Sequence, residues 1–401
     1  MEAQTRSQRT YSSASQGLLL FLTCAYIDTL SQPAMSAAAC VSFCPSPASS
    51  RHGAGPIVDI VVGLPPATEA EEERGAGRDL LEFGADGMIG ASSDSDQVAA
   101  AAEIDDEEEH PVRRPRAVVQ KFMCERKVVG DGFALRRSIG RPELQSLDPF
   151  ISLDEFEFSR PAGFSDHPHR GFENVTYMLE GGLSYHDFSG HKGTVNTGDV
   201  QWMTAGRGVV HAEMPGGEGV QRGLNLWLNL SSKDKMVAPR YQDLRSRDVP
   251  SAEKDGVSVK VIAGEALGAR SPIQTRTPAM WLDVTMQPGA CLRQPVPAGW
   301  TACAYVLDGE ASFGQPGDEA AGAHQCVVFG GDGDGDGDGV DVRTGGARAR
   351  FLLLAARPHG EAVAMDGPFV MNTSEEVQQA REDYLNRRNG FELAAGWSSG
   401  Q

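Results

Sequence analysis

Apolar and polar residues change rhythm near Arg116. From there on, short apolar runs alternate with turns rich in Gly, Asn and Asp. Val175-Thr176-Tyr177-Met178-Leu179 leads through Gly181-Gly182 into Leu183-Ser184-Tyr185-His186-Asp187-Phe188, the pattern of a β-hairpin. Asn196-Thr197-Gly198-Asp199 turns the chain into Val200-Gln201-Trp202-Met203, and Ala205-Gly206-Arg207-Gly208 turns it again before Val209-Val210-His211. Many short strands at this spacing predict an all-β fold, an antiparallel barrel or sandwich. One stretch departs from it. Thr373 and Glu376 carry the capping-box signature, and Val377, Ala380, Tyr384 and Leu385 follow at helical spacing. Arg387 and Arg388 suit a helix C-terminus and Gly390 can close it, so a helix is expected at about 374–389, packed on a barrel's outer surface.

The barrel pattern occurs twice. An offset of 128 residues lays DHPHRGFENVTYMLEGG (166–182) on QPVPAGWTACAYVLDGE (294–310) without a gap. Gly171 meets Gly299, Phe172 meets Trp300, Tyr177 meets Tyr305 and Gly181 meets Gly309. Such self-similarity implies two barrels of common ancestry. The histidines do not repeat: His167 falls on Pro295 and His169 on Pro297, so any metal belongs to the first barrel. The expected organisation is an extension over 1–57, an acidic linker over 58–115, a metal-bearing barrel over 116–245, and a metal-free barrel with the terminal helix over 246–401.

Composition adds the context. Residues 1–110 carry eighteen acidic and five basic side chains, which leaves only −6 of the total −19 for the rest. A mildly acidic core does not hold a phosphate backbone, so direct nucleic-acid binding is not expected. No apolar run reaches the roughly 20 residues that span a bilayer. Arg6 and Arg9 precede an apolar stretch, Gly17 to Ile27, and then Ala37-Ala38-Ala39, which reads as a targeting segment or an unstructured extension. Residues 66–110 are acidic and poor in aromatics, and too little apolar surface remains there to offset ordering entropy. The seven cysteines show no C-x-x-C and suggest free thiols in a reducing compartment. Cytoplasm or nucleus is expected, or a plastid or mitochondrion if the leading segment is a transit peptide. The Asp332–Asp338 run of alternating Gly and Asp fails the EF-hand pattern, whose last ligand position here is Arg343, and reads as a low-complexity loop.

The chemistry lies in His167-Pro168-His169 and His211-Ala212-Glu213. Residues two apart on a strand project from one face. If the two strands face each other in a small barrel, three imidazoles and a carboxylate converge, and such a set binds a divalent first-row metal. Pro168 lacks an N–H and belongs on an edge strand or at a barrel mouth. Glu173 shares strand parity with His169 and competes with Glu213 as a ligand, unless Gly171 breaks the parity. His186 and His191 flank a hairpin tip at Ser189-Gly190 and read as exposed loop histidines, as do His324 and His359 in the second half. Phe172 and Trp202 lie near enough to line a pocket, although core packing explains them equally.

The segments DHPHRGFENVTYMLEGGLSYHDFSGHKG, GDVQWMTAGRGVVHAEMP and GLNLWLNL, with PGACLRQPVPAGWTACAYVLDGEASFG and the closing GPFVMNTSEEVQQAREDYLNRRNGFE, closely resemble the pirin family of the cupin superfamily. The likeness runs from about Ala117 to Trp397. It implies two tandem cupin barrels, with iron held by His167, His169, His211 and Glu213 and with Glu173 outside the ligand set. Imidazole suits Cu, Ni and Zn as well as Fe. Three neutral His and one carboxylate leave a divalent site at +1, which suits an anionic bidentate oxygen ligand. The resemblance implies quercetin 2,3-dioxygenase activity, the ring-opening dioxygenation of a flavonol-like substrate with loss of carbon monoxide, in which Glu213 assists proton removal. The alternative it implies is a redox-sensing cofactor that binds a transcription factor or a G-protein subunit. A metal that only stabilises the fold is the third reading.

Overall fold

The computed structural model describes residues 112–315, 317, 319–330 and 337–400. The leading extension, most of the acidic segment and the centre of the Asp/Gly loop lie outside them. The fold is all-β: two tandem antiparallel cupin barrels and one C-terminal α-helix. In the first barrel a seven-stranded sheet runs Arg240–Leu244, Val200–Thr204, Phe172–Glu180, Gln221–Asn229, Phe150–Phe158, Phe133–Ile139, Lys127–Gly130. A four-stranded sheet faces it, in the order Phe164–His169, Val209–Pro215, Gly182–Asp187, Lys192–Asn196. The second barrel is one ten-stranded sheet that also recruits Val118–Met123, paired to Gln325–Phe329. No helix among the described residues is long and apolar enough to cross a membrane, which says nothing of β-barrels.

Two local expectations need correction. Val175–Leu179 and Leu183–Phe188 do not form a hairpin. Phe172–Glu180 stays in the seven-stranded sheet while Gly182–Asp187 crosses to the four-stranded one. Gly181, at φ +72°, turns that corner, a conformation that suits glycine because it has no Cβ. The true hairpin is the next one, Gly182–Asp187 with Lys192–Asn196. The helix is Ser374–Leu385, with both capping-box hydrogen bonds formed, and ends four residues before the expected 389. Arg387 and Asn389 take positive φ, outside the right-handed helical region.

The seven-stranded sheet packs face to face on the second barrel. Val175, Tyr177, Trp202, Leu226 and Leu244 meet Trp281, Tyr305, Leu352 and Leu354 in one buried core. The 128-residue repeat is visible in its ladders: Tyr177 lies opposite Leu224 as Tyr305 lies opposite Leu352, and Gly309 has the same φ as Gly181. The repeat also builds a reciprocal lock. Tyr177 donates to Asp283 of the second barrel (2.7 Å), and Tyr305 donates to Glu155 of the first (2.6 Å). Arg350 holds Asp283 through two bonds and Arg222 holds Glu155 at 2.7 Å. The offset carries Tyr177, Glu155 and Arg222 onto Tyr305, Asp283 and Arg350. Each barrel thus gives a phenol to its partner's carboxylate, the pattern of a two-fold interface.

A hydrogen bond to a charged group contributes about 1.5–3 kcal/mol. Tyr177→Phe and Tyr305→Phe are each expected to lower unfolding free energy by about that much in urea titrations, because each strips a buried carboxylate of one donor. Losses below about 0.5 kcal/mol in both variants would show that the reciprocal bonds do not secure the interface.

Candidate metal centre

His167 and His169 lie on Phe164–His169, an edge strand of the four-stranded sheet, where the missing N–H of Pro168 costs no ladder bond. His211 and Glu213 lie on Val209–Pro215. The two strands do not face each other across the barrel, as expected, but are direct neighbours. His211 pairs with His167 and Val209 with His169, and a bulge between His211 and Glu213 shifts the register. Side chains two apart share a face, so adjacency brings all four to the inner side. The imidazole ring centroids of His167, His169 and His211 stand 4.4–4.9 Å apart. One nitrogen from each lies within 4.8 Å of the others. Glu213 Oε2 lies 4.0 Å from His167 Nε2 and 3.9 Å from His211 Nε2. Donors about 2.0–2.2 Å from one ion sit at most about 4.4 Å from each other, so the cluster is within a few tenths of an ångström of closing on one.

Burial makes the arrangement costly without a partner. His211 is fully buried and Glu213 is 5% exposed. Both nitrogens of His211 and Oε1 of Glu213 make no hydrogen bond. An unsatisfied buried polar group costs about 1–3 kcal/mol, and such groups call for an ion or water. Desolvation lowers the imidazoles, His167 to about 4 and His169 and His211 well below their ordinary value, so all three are neutral donors at neutral pH. Burial raises Glu213 to about 7. His167 Nδ1–H donates to the Ser165 carbonyl (2.8 Å), a bond that presents Nε2 to the centre. Three His and one Glu can hold a divalent metal here.

Glu173 is not part of the cluster. Gly171, at φ +90° and pressed against the Val370 carbonyl, ends one strand and starts another in the other sheet. Glu173 then shares a face with Val175 and Tyr177, toward the second barrel, where Thr204 Oγ1 donates to it (2.7 Å). Phe172 packs against His169, at 5.2 Å between ring centroids, whereas Trp202 belongs to the core between barrels. Trp227, 5.6 Å from His169, had no sequence signal beyond strand parity. His191 is more than a loop histidine, because it stacks on Tyr185 and pairs with Asp243 (3.4 Å). His186 faces Trp397, His324 bonds Glu155 (3.1 Å), and His359 bonds Thr277 (3.1 Å).

The seven-stranded sheet closes the interior with a polar belt. Its even positions Arg240, Gln242 and Leu244 point to the second barrel, which puts Tyr241 and Asp243 inside. Gln201 bonds Asp243 (3.3 Å) and Asn225 bonds Asn174 (2.8 Å). The second barrel differs. Val259, Leu282, Val306, Phe313, Phe351 and Leu353 fill it as an apolar core. Pro295 pairs with Gly339 there as His167 pairs with His211, and Asp341, at the Glu213 position, is engaged by Arg293 (3.4 Å).

The outer face of the ligand sheet is covered by the C-terminal segment. Arg170, next to His169, reaches Asp383 (3.0 Å) and the Asn389 carbonyl (2.7 Å) and lies over Phe391. Val210, next to His211, packs with Val377, Ala380 and Phe391. Asp166, next to His167, accepts from Ser399 N (3.3 Å).

With Glu213 near 7, a metal must displace its proton at lower pH. Below about pH 7, uptake is expected to release close to one proton per ion, with affinity falling as pH falls. Above pH 8 release vanishes and affinity levels off. Calorimetric titrations in buffers of different ionisation enthalpy at pH 6 and pH 8 measure this. Equal release at both would contradict the assigned role of Glu213.

Sequence comparison agrees with this architecture. The Pirin family model matches residues 132–228, and the Pirin C-terminal cupin domain matches residues 281–390. A pirin-like protein of Solanum lycopersicum is 55% identical over 286 residues, covering 71% of this chain and 97% of that protein. Pirin of Homo sapiens is 52% identical, over 67% of this chain and 92% of its own. The crystal structure of a quercetin 2,3-dioxygenase from Acinetobacter baumannii superposes with a TM-score of 0.62 at 30% identity, over 68% of this chain and 98% of that one. The chain belongs to the pirin family.

Proposed function

We propose that His167, His169, His211 and Glu213 hold one divalent transition metal, iron in the cell, and that the centre carries out quercetin 2,3-dioxygenase-type ring opening of a flavonol-like substrate. The observation that carries this reading is a buried carboxylate without a hydrogen bond on Oε1, beside three neutral imidazoles inside a polar barrel. The likeness to a quercetin 2,3-dioxygenase over nearly its whole length supports the substrate class. A bound divalent metal supplies Lewis acidity, which acidifies a chelating hydroxyl and polarises its neighbouring carbonyl. The three imidazoles add no charge, so a +1 site remains to attract an anionic oxygen pair. Glu213 is the carboxylate placed to take the proton of the flavonol 3-hydroxyl. Phe172 and Trp227 pack against His169 and exclude water from that side.

One observation favours a second reading, a redox-responsive binding module. Residues adjacent to three of the four ligands touch the C-terminal segment, so a change of the centre from +1 to +2 on oxidation acts on a sheet whose back carries that segment. A transcription factor or G-protein subunit would be read there without turnover.

Purified protein loaded with Fe(II) is expected to consume quercetin. Glu213→Gln is expected to lower kcat by roughly a hundredfold, whereas Glu173→Gln, on the other face of the sheet, stays within about threefold. No turnover with any of Fe, Mn, Cu, Ni or Co would remove the dioxygenase reading and leave the binding module.

A further inference from the structure

The strand that carries His167 and His169 is held on one side. Among the described residues, Phe164–His169 pairs in its sheet with Val209–Pro215 only. That ladder is short, shifts at the bulge between His211 and Glu213, and ends at the pair of His169 with Val209. Four ligands therefore depend on a register that the ladder fixes only in part.

The next residue supplies what the ladder lacks. Arg170 donates its N–H to the Pro368 carbonyl (3.1 Å) and accepts on its own carbonyl from Val370 N (3.0 Å). It is 1% exposed, so its charge is out of water. Nε donates to the Arg207 carbonyl (2.7 Å), Nη1 to Asp383 Oδ2 (3.0 Å) and Nη2 to the Asn389 carbonyl (2.7 Å). Arg207 lies in the turn that enters Val209–Pro215, four residues before His211. One guanidinium thus joins the adjoining ends of both ligand strands, at the end where their ladder stops. Reaching two carbonyls and a carboxylate at once needs the planar fork of Arg, which Lys does not have.

Asp383 keeps the fork in place. A buried guanidinium is stable only when paired and hydrogen-bonded. Asp383 gives Oδ2 to Arg170, and its Oδ1 accepts from Gln379 Nε2 (2.8 Å), Arg388 Nε (2.9 Å) and Asn389 Nδ2 (2.9 Å). Docking of the helix does not call for this pair, because Val210 already packs there with Val377, Ala380 and Phe391. The buried charges are explained by what Arg170 joins, which is the two ligand strands.

We propose that Arg170 is a positioning residue of the metal centre, and that Asp383 of the C-terminal helix holds it: the guanidinium fixes the two strand ends so that three imidazoles and Glu213 keep one geometry. This rests on the reading of His167, His169, His211 and Glu213 as ligands of one metal.

The test uses the full chain without oxygen. Fe(II) affinity is measured by chelator competition, and Co(II) is titrated in parallel because its visible spectrum reports coordination geometry. Wild type is compared with Asp383→Asn, Arg170→Lys and Tyr305→Phe, the last of which loosens the interface between barrels far from this clamp. Asp383→Asn and Arg170→Lys are each expected to weaken Fe(II) binding about tenfold and to change the Co(II) spectrum, whereas Tyr305→Phe keeps both. Affinities within about twofold of wild type in the two clamp variants overturn the proposal and leave Arg170 an anchor of the helix. An equal loss in Tyr305→Phe overturns it too, because general loosening would then explain the effect. If Asp383→Asn does not fold, Arg170→Lys, which keeps a cation beside Asp383, decides alone. Absence of Fe(II) and Co(II) binding by the wild type removes the proposal together with the reading beneath it.

Discussion

The pairing of His211 with His167, and of Val209 with His169, is the constraint on which the rest of this molecule depends. It is a backbone register, set by ladder hydrogen bonds between two short strands, yet it decides where four side chains meet. A slip of one residue would turn every imidazole outward, onto the C-terminal helix. The bulge after His211 is part of the same device, because it shifts the strand just where the carboxylate must join the imidazoles. Held this way, groups that prefer water are buried at 0–5% exposure. The fold bears that cost beside a large interbarrel core, and a bound ion would relieve it.

The two barrels show what distinguishes a site from a scaffold. Their central ladders coincide under a single offset, and their phenols and carboxylates are exchanged across the interface in the same way. Yet one interior is filled by Val, Leu and Phe, and the other keeps Asn174, Gln201, Asn225, Tyr241 and the histidines. In the second barrel proline replaces the imidazoles: Pro295 still pairs with Gly339, but the strand ends before Pro297, and Asp341 pairs with Arg293 in a ladder without the bulge that precedes Glu213.

Much of this was legible in the chain. Strand alternation, the His-x-His and His-x-Glu spacings, the repeat and the capping box each act over a few residues, and all survive in the structure. What could not be read is set by pairing between distant strands. Gly181 looks like a hairpin turn but carries the chain between sheets, and nothing local distinguishes the two. Glu173 has the parity of His169 on paper, and only the break at Gly171 sends it to the opposite face. Tyr177 and Tyr305 were seen as matched repeat positions, but their partners Asp283 and Glu155 lie more than a hundred residues away. Tyr241 lies in no motif, and its inward direction follows only from Leu244 pointing to the second barrel.

The central claim is spatial: four donors from two neighbouring strands surround one ion. Anomalous diffraction at the absorption edge of the bound metal, from crystals of metal-loaded protein, tests it most directly. The account requires a single peak per chain in the first barrel, roughly 2 Å from a nitrogen of each of His167, His169 and His211 and from a Glu213 oxygen. A peak elsewhere, or one that Glu213 or any of the three imidazoles does not touch, would contradict it.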